Sequence, residues 1–592
     1  MRRGKIDRVD GMKADTSRHM HVNVPCNRRY DMARASHKLA LLPIHEALDR
    51  EVEEQPDLLE RAAAKVSEGA WADNYRKHPL VNDGGSAPLP LVIYADGVPY
   101  STTDSVVGFW VYNLVSERRH LVGCVKKRNL CKCGCKGWCG LYVICRFLVW
   151  CLDALAKQAF PSRGPFGEGF GDDHVRRALA GSPLRSRGAV VEIHGDWSEI
   201  ATTFGLMGWQ HVRRPCFCCT TDALRLYDLE AVNALDWRCE LTSQEQYENA
   251  CKRAEVWVWA EASDRDALIP LLVYSKKDKD AFGRCLVAPF PGLGLEKNDR
   301  LEPSHLLSDV GAFEELVFPT WVLFWRSSLT SWVKHRCPLL EPRLGLGIES
   351  FAIDTLHCLH LGVWLTIVRT LFWRLFSKDA WGVRGSAAEI VQVSVLRLRN
   401  EIVSWYKEPR VRKQCLTEIT DLTAKMMGTA ANPKLKVKAA ECWSLVLFCP
   451  QLLATRGGAL GAELPIWRDI VGGVIRHMNV MKEQPRNMST SATQELVDTF
   501  HAVMQGCKRL EDYPFYPQNH MWGHMIQRSL RHGNPRLTAS FLDEHYNGVL
   551  KKAARGLHGG HTFEGRLLTR MDYLMDKAAH KRQLKRRRSG SG

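Results

Sequence analysis

The sequence predicts an α/β protein: a small mixed sheet built in the order β-β-β-α-β-α, accompanied by a long, mainly helical region. Three observations carry this. "LPLVIYAD", "VVGFWVYNLV" and "RRHLVGCVKK" are consecutive β-branched and aromatic runs separated by turn or charged residues. A long apolar helix starts at Trp138. "RGAVVEIHGD" then supplies a further short buried strand before the helical "WSEIATTFGL".

Taken in order, residues 1–88 are polar, with the acidic helical patch "IHEALDREVEEQPDLLERAAAKVSEGA" and a "NDGGSAP" linker, and read as a small helical leader. Residues 89–220 hold the strands and a Cys-rich segment. Residues 221–530 read as mainly helical, 531–576 carry a last helix around "FLDEHYNGVLKKAARGLH", and 577–592 form a basic tail.

A chain of 592 residues, 45% hydrophobic and 25% charged, has ample material for a large core. Its net charge of +17 points to a polyanionic partner such as nucleic acid. The charge is concentrated: from Lys551 to Gly592, 12 Lys and Arg face only Glu564, Asp572 and Asp576, and the closing "HKRQLKRRRSGSG" reads as a nuclear-import or nucleic-acid patch. No apolar run follows the first charged residues, so no secretory signal is expected. Trp138 to Leu155, Phe313 to Trp332 and Ile353 to Phe376 are apolar, but polar or charged residues interrupt them, and buried core helices are expected there. Twenty cysteines in a chain of this kind argue for free thiols and a metal site over a disulfide scaffold.

The first and fourth strands both run into a carboxylate, Asp96 and Asp196. Two acids at the ends of adjacent strands would meet at one sheet edge, where oxygen ligands can hold hard divalent cations such as Mg2+ or Mn2+. The competing reading of each is a solvated turn former. "GCVKKRNLCKCGCKGWCG" carries Cys124, Cys131, Cys133, Cys135 and Cys139, and "RRPCFCCTT" carries Cys216, Cys218 and Cys219; thiolates at this density suit a structural Zn2+, although C-x-C-x-C is not a zinc-ribbon spacing. His520 and His524 share a helix face with no intervening Glu, which excludes an H-E-x-x-H protease, and packed or hydrogen-bonded histidines are expected. Asp354 stands three residues before His357, on the side of a helix where it can orient the ring. There is no P-loop, no strand-borne dinucleotide fingerprint and no G-x-S-x-G elbow.

"YADGVPYS", "VVEIHGDWSEIATTFGLMGWQHVRRPCFCC", "IDTLHCLHLGV", "YPFYPQNHMWGHM" and "GNPRLTASFLDEHYNGVLKKAARGLHGGHTFEGRLL" occur in an order that resembles the CACTA-type (En/Spm-like) transposases and their Kyakuja-Dileera-Zisupton and Plavaka relatives, over residues 89–575. The resemblance implies an RNase H-like mixed-sheet catalytic core interrupted by a large, mainly α-helical insertion. It places the first two metal-binding acids at Asp96 and Asp196, the Cys- or Asp-x-x-His pair at Asp354 and His357, and a "PCxxC" element at Cys216 and Cys219. For the third acid, Asp543 and Glu544 both stand in the last helix, about 100° apart. Glu544 is the choice, with Asp543 as an N-cap or first-turn acid and Asp498 or Glu511 as alternatives. The implied activity is Mg2+- or Mn2+-dependent DNA nicking and strand transfer in the nucleus, by a homo-oligomer acting on transposon ends and target DNA. Two other readings stay open: an inactive, transposon-derived nuclear DNA-binding protein, favoured by the lack of an evident DNA-binding module in residues 1–88, and a nuclease of the same fold.

Overall fold

The computed structural model describes residues 18–27, 33–132, 135, 137–206, 208–209, 214–221, 226, 241–255, 333, 336–415, 417–557, 560 and 562–589. The apolar stretch Phe313 to Trp332, Cys133 and a large part of the 221–530 region lie outside the described residues.

The chain opens on a hairpin that the helical reading of residues 1–88 did not anticipate. Strands β1 (Met20–Asn27) and β2 (Arg34–Leu41) pair antiparallel, with Val22 and Val24 buried and His21 and Asn23 exposed. That period of two is the strand signature in an otherwise polar segment. Two helices follow as expected, α1 (Ile44–Glu54) and α2 (Leu58–Ser67).

The central sheet contains β3 (Leu89–Pro99), β4 (Ser105–Asn113), β5 (Arg119–Lys126) and β6 (Gly188–His194), in the order β5-β4-β3-β6. The β3–β4 and β4–β5 pairs are antiparallel; β3 and β6 are parallel. The sheet is therefore mixed. A parallel neighbour requires a crossover, and the apolar helix α3 (Trp138–Lys157) lies within it, packed on β6, β1 and α1. The other face is closed from the far end of the chain. Tyr94, Val98, Val106, Trp110 and Leu121 pack against Leu550, Ala553 and Ala554 of α11 (Phe541–Arg555) and Phe563, Leu567, Leu568 and Met571 of α12 (Phe563–Ser589). Burial on both faces explains why β3 reads as a continuous apolar run.

Between β6 and α11 the described residues include α4 (Trp197–Thr203), a helix over Gln244–Glu255, and the longer α5 (Trp364–Ser377), α6 (Ala387–Tyr406), α7 (Ala439–Arg456), α8 (Leu464–Glu483), α9 (Thr490–Arg509) and α10 (Pro517–His532). Residues 356–363 form π-helical turns leading directly into α5. Three spans, Trp138–Lys157, Leu356–Ser377 and Ala439–Glu483, are long and apolar enough to cross a membrane by length and composition. The most apolar windows of the three are 61%, 72% and 44% buried inside the protein.

Candidate active site and metal centre

The rungs between β3 and β6 run from Leu89 opposite Gly188 to Tyr94 opposite His194, where β6 stops. β3 continues, paired only with β4, and places Asp96 opposite Gly108. Asp96 thus stands inside its strand, two residues beyond the last rung, and not at the strand's end as the sequence suggested. Asp196 stands two residues past β6 and caps α4, its Oδ1 accepting the Glu199 amide at 2.6 Å. The two acid-bearing segments touch: a Cβ on Gly195 would stand 3.2 Å from the Ala95 carbonyl oxygen.

Asp96 is held on both oxygens. Oδ1 accepts the Gly97 amide at 2.6 Å, and Oδ2 accepts the Tyr94 hydroxyl at 3.0 Å and the Asn547 amide at 2.6 Å. Asn547 also donates to the Tyr94 oxygen at 2.9 Å, while its own Oδ1 is buried without a hydrogen-bond partner among the described residues. Burial, then the charges of Glu544, Glu199 and Asp196, push the Asp96 carboxyl up to about 7. Four carboxylates from three elements therefore feel one another: Asp96 on β3, Asp196 and Glu199 on α4, and Glu544 on α11.

Glu544 reaches this cluster because α11 packs on β3. Burial raises its carboxyl; His357, with Nε2 3.9 Å from Oε1, draws it back, and Asp354, Asp196 and Asp543 push it up, leaving it above the usual range. Asp543, one residue earlier, does lie in the first turn, but Ser540 takes the N-cap position. The Asp543 carboxylate is buried and paired with Arg119 of β5 at 3.0 Å. Of the alternative third acids, Asp498 bonds Gln494 on its own helix, and the Glu511 carbonyl accepts from Arg374.

Asp354 and His357 arrive by a different route. Phe351 pairs in parallel with Ile193 along the free side of β6, the Ala352 amide donating to the Ile193 carbonyl at 2.9 Å. Asp354 then spends both oxygens. Oδ1 accepts the Leu356 and Ser540 amides at 3.0 and 2.9 Å; Oδ2 accepts the Ser540 hydroxyl at 2.7 Å and His357 Nδ1. The aspartate thereby braces both the start of α11 and the imidazole. Burial alone would lower His357, but the Asp354 hydrogen bond and charge, with Asp196 and Glu544 beyond, raise it to about 9, so it carries a positive charge at neutral pH. His360, three residues on, is instead packed among Trp364, Trp443 and Phe541, and burial lowers it to about 4.

A second cation approaches from β5. Lys127 Nζ lies 3.8 Å from Glu199 Oε2, and a Cβ on Gly97 would fall 2.6 Å from that ammonium. A side chain at Gly97 would force the lysine end away from this position.

Cys216 and Cys219, in contrast, converge with His520 and His524 of α10, four buried residues whose ligand atoms all lie within 4.8 Å of one another. Cys219 Sγ is 3.4 Å from His520 Nε2, which is 3.0 Å from His524 Nε2. Burial holds both imidazoles neutral, His520 at about 3, and raises the Cys216 thiol. The packed or hydrogen-bonded histidines expected from the sequence are buried and within hydrogen-bond distance of each other, and their i, i+4 spacing also brings two ring nitrogens together with two thiols about 300 residues earlier in the chain. Cys218 is not one of the four, although its amide donates to Cys216 Sγ at 3.3 Å. Cys131, Cys135 and Cys139 form a separate group of the same compactness. Cys124 is buried in β5, its thiol raised by burial. The described residues thus offer two Cys- or Cys/His-lined positions able to hold a metal ion.

The sequence reading did not single out Glu199, Asn547, Tyr94 or Lys127. A signal existed for two of them: Glu199 stands one helical turn after Asp196, and Asn547 one turn after Glu544. No family model matches the chain, and no curated protein or solved structure matches it.

Proposed function

We propose that the protein is a DDE-type DNA transposase of CACTA-like kind, with an RNase H-like core in which Asp96, Asp196 and Glu544 hold two Mg2+ or Mn2+ ions. The observation that carries the reading is the way α11 closes on β3: Asn547 bonds Asp96 while Glu544, one turn away, joins Asp96 and Asp196 in a cluster whose burial and then mutual repulsion raise Asp96 to about 7. Carboxylates so arranged attract cations, and above the raised pKa a hard divalent ion can take the place of the proton; the Asn547 Oδ1, without a partner among the described residues, adds a further oxygen donor. The sheet order supports the fold, with the Phe351 segment beside β6 in the place of a fifth strand and the helices from α5 to α10 as the insertion.

Bound metal would supply an activated water or 3′-hydroxyl and charge neutralisation at the leaving oxygen. In the nicking step the water oxygen bonds to the scissile phosphorus, and the bond from phosphorus to O3′ breaks, leaving a 3′-hydroxyl and a 5′-phosphate. In strand transfer that 3′-hydroxyl attacks a target phosphodiester and displaces the target's own 3′-oxygen. Asp354 keeps the charged His357 facing the acids, where it offsets their repulsion. Lys127 stands ready to contact a backbone phosphate. Cys216, Cys219, His520 and His524 suit a structural Zn2+ with a closed tetrahedral shell, tying the segment after Asp196 to the helical region. The basic tail is assigned to nuclear import, and cutting two ends together implies a homo-oligomer.

The test is divalent-ion-dependent nicking of duplex DNA by the purified chain beside Asp96→Ala, Asp196→Ala and Glu544→Gln. Nicking lost in all three while DNA binding persists supports the assignment. A wild type that binds DNA and never cuts with Mg2+ or Mn2+ overturns it in favour of a non-catalytic DNA-binding protein. Cleavage without joining of a pre-nicked end reduces it to a nuclease.

A further inference from the structure

Neither the carboxylate cluster nor the Cys/His group explains the thiols between β5 and α3. We infer that Cys131, Cys135 and Cys139 form a second soft-metal site that binds Zn2+ through three thiolates. Their sulfur atoms lie within 4.8 Å of one another, and none is in a disulfide. Three sulfurs at about 2.3 Å from a tetrahedral ion stand somewhat under 4 Å apart, so the site closes with small rotations of side chains already together.

The local backbone is built to gather them. Gly137 adopts φ +94°, and a Cβ there would come within 2.9 Å of Leu130, so the tight turn folds the chain back on the residue that precedes Cys131. The Trp138 amide donates to the Cys135 carbonyl at 3.0 Å, starting α3 with Cys139 in its first turn, where the helix dipole favours a thiolate. The Lys132 amide donates to Asn27 Oδ1 at 2.6 Å, tying the same loop to β1. The electrostatics agree. No acid occurs between Lys126 and Asp153, while Lys126, Lys127, Arg128, Lys132 and Lys136 all do, so three thiolates meet only positive neighbours in the sequence around them. Cys131 and Cys135 are buried and Cys139 is half-buried. Cross-linking here fixes the short turn Lys127–Asn129, and with it the ammonium that stands beside Asp96.

The inference does not depend on the DNA chemistry, and its test reads metal directly. Zinc content of the full-length chain, purified without added metal, is compared with Cys135→Ser/Cys139→Ser and with His520→Ala/His524→Ala. The expected result is one equivalent fewer in the serine variant than in the wild type, whatever the histidine variant loses. An unchanged zinc count in the serine variant overturns the inference. If the serine variant does not fold, alkylation of the native wild type decides, read by peptide mass spectrometry. Iodoacetamide modification of Cys139 that rises at least tenfold on adding a zinc chelator supports the site; equal rates with and without chelator overturn it.

Discussion

Asp354→Asn isolates the electrostatic joint between the helical region and the acids. In the wild type, His357 is raised from 6.5 to about 9 against the pull of burial, chiefly by Asp354. A group raised on folding contributes stability that is complete below its unfolded pKa and is lost as pH climbs through the folded one, so the window lies between pH 6.5 and 9. The displacement corresponds to about 3 kcal/mol as an upper bound at 1.36 kcal/mol per tenfold change in proton affinity. Because the ring is 35% exposed, solvent screening brings the expected value to about 1–2 kcal/mol. Asp354 is lowered despite its own burial, by His357 first and then Ser540, so its contribution is present above the usual carboxylate range and fades in acid. Urea unfolding at pH 6, 7.5 and 9.5 should show the wild type losing about 1–2 kcal/mol across the range, while Asp354→Asn starts lower and varies less. A histidine proton titration should move the His357 midpoint down by more than one pH unit in the variant. A wild type as stable at pH 9.5 as at pH 6, with a His357 midpoint near 6.5, would refute the reasoning.

Other outcomes follow from the same geometry. Arg119→Met leaves Asp543 buried without its partner and should cost about 3–5 kcal/mol in urea unfolding, with Arg119→Met/Asp543→Asn recovering much of it. Asn547→Leu removes two hydrogen bonds from the Asp96 and Tyr94 pair and should reduce metal-dependent nicking by about 10- to 100-fold while circular dichroism stays unchanged. With Asp96 raised to about 7, protons compete with the divalent ion: half-saturating Mg2+ should fall about tenfold per pH unit as pH rises from 5.5 to 7 and then level off. Gly97→Ala should displace Lys127 and flatten the salt dependence of DNA binding, measured as the slope of log affinity against log salt.

The sheet was legible because its strands are buried on both faces and so announce themselves as apolar runs: β4, β5 and β6 lie within a residue or two of where the pattern put them, and β3 begins where expected but runs three residues past Asp96. The N-terminal hairpin was not, since its inner face is marked only by Val22 and Val24 on β1 and by Leu39 and Leu41 at the end of a polar β2, and a neighbouring acidic helix set the tone of the segment. Asp96 and Asp196 were legible as acids after apolar runs, but the overrun of β3 past β6 depends on where a different strand ends. Asn547 and Lys127 were hidden for a plainer reason. Asn547 matters through Asp96, 451 positions away, and Lys127 through Glu199 on α4, and no local periodicity encodes either. The partnership of Cys216 and Cys219 with His520 and His524 is the extreme case: each half has a metal-ligand spacing, and only the fold reveals that they belong together.

That partnership has a consequence for how the chain comes into being. A ribosome releases the two cysteines some three hundred residues before the two histidines, and α11, with Glu544 and Asn547, comes later still. Joining ends so far apart costs about 5 kcal/mol of loop entropy by the (3/2)RT ln n relation, which the nascent sheet cannot recover until the helical region is in place. Glu544 joins Asp96 and Asp196 only once α11 has been made, so an interrupted product of translation ending before α11 cannot complete the cluster proposed to cut DNA.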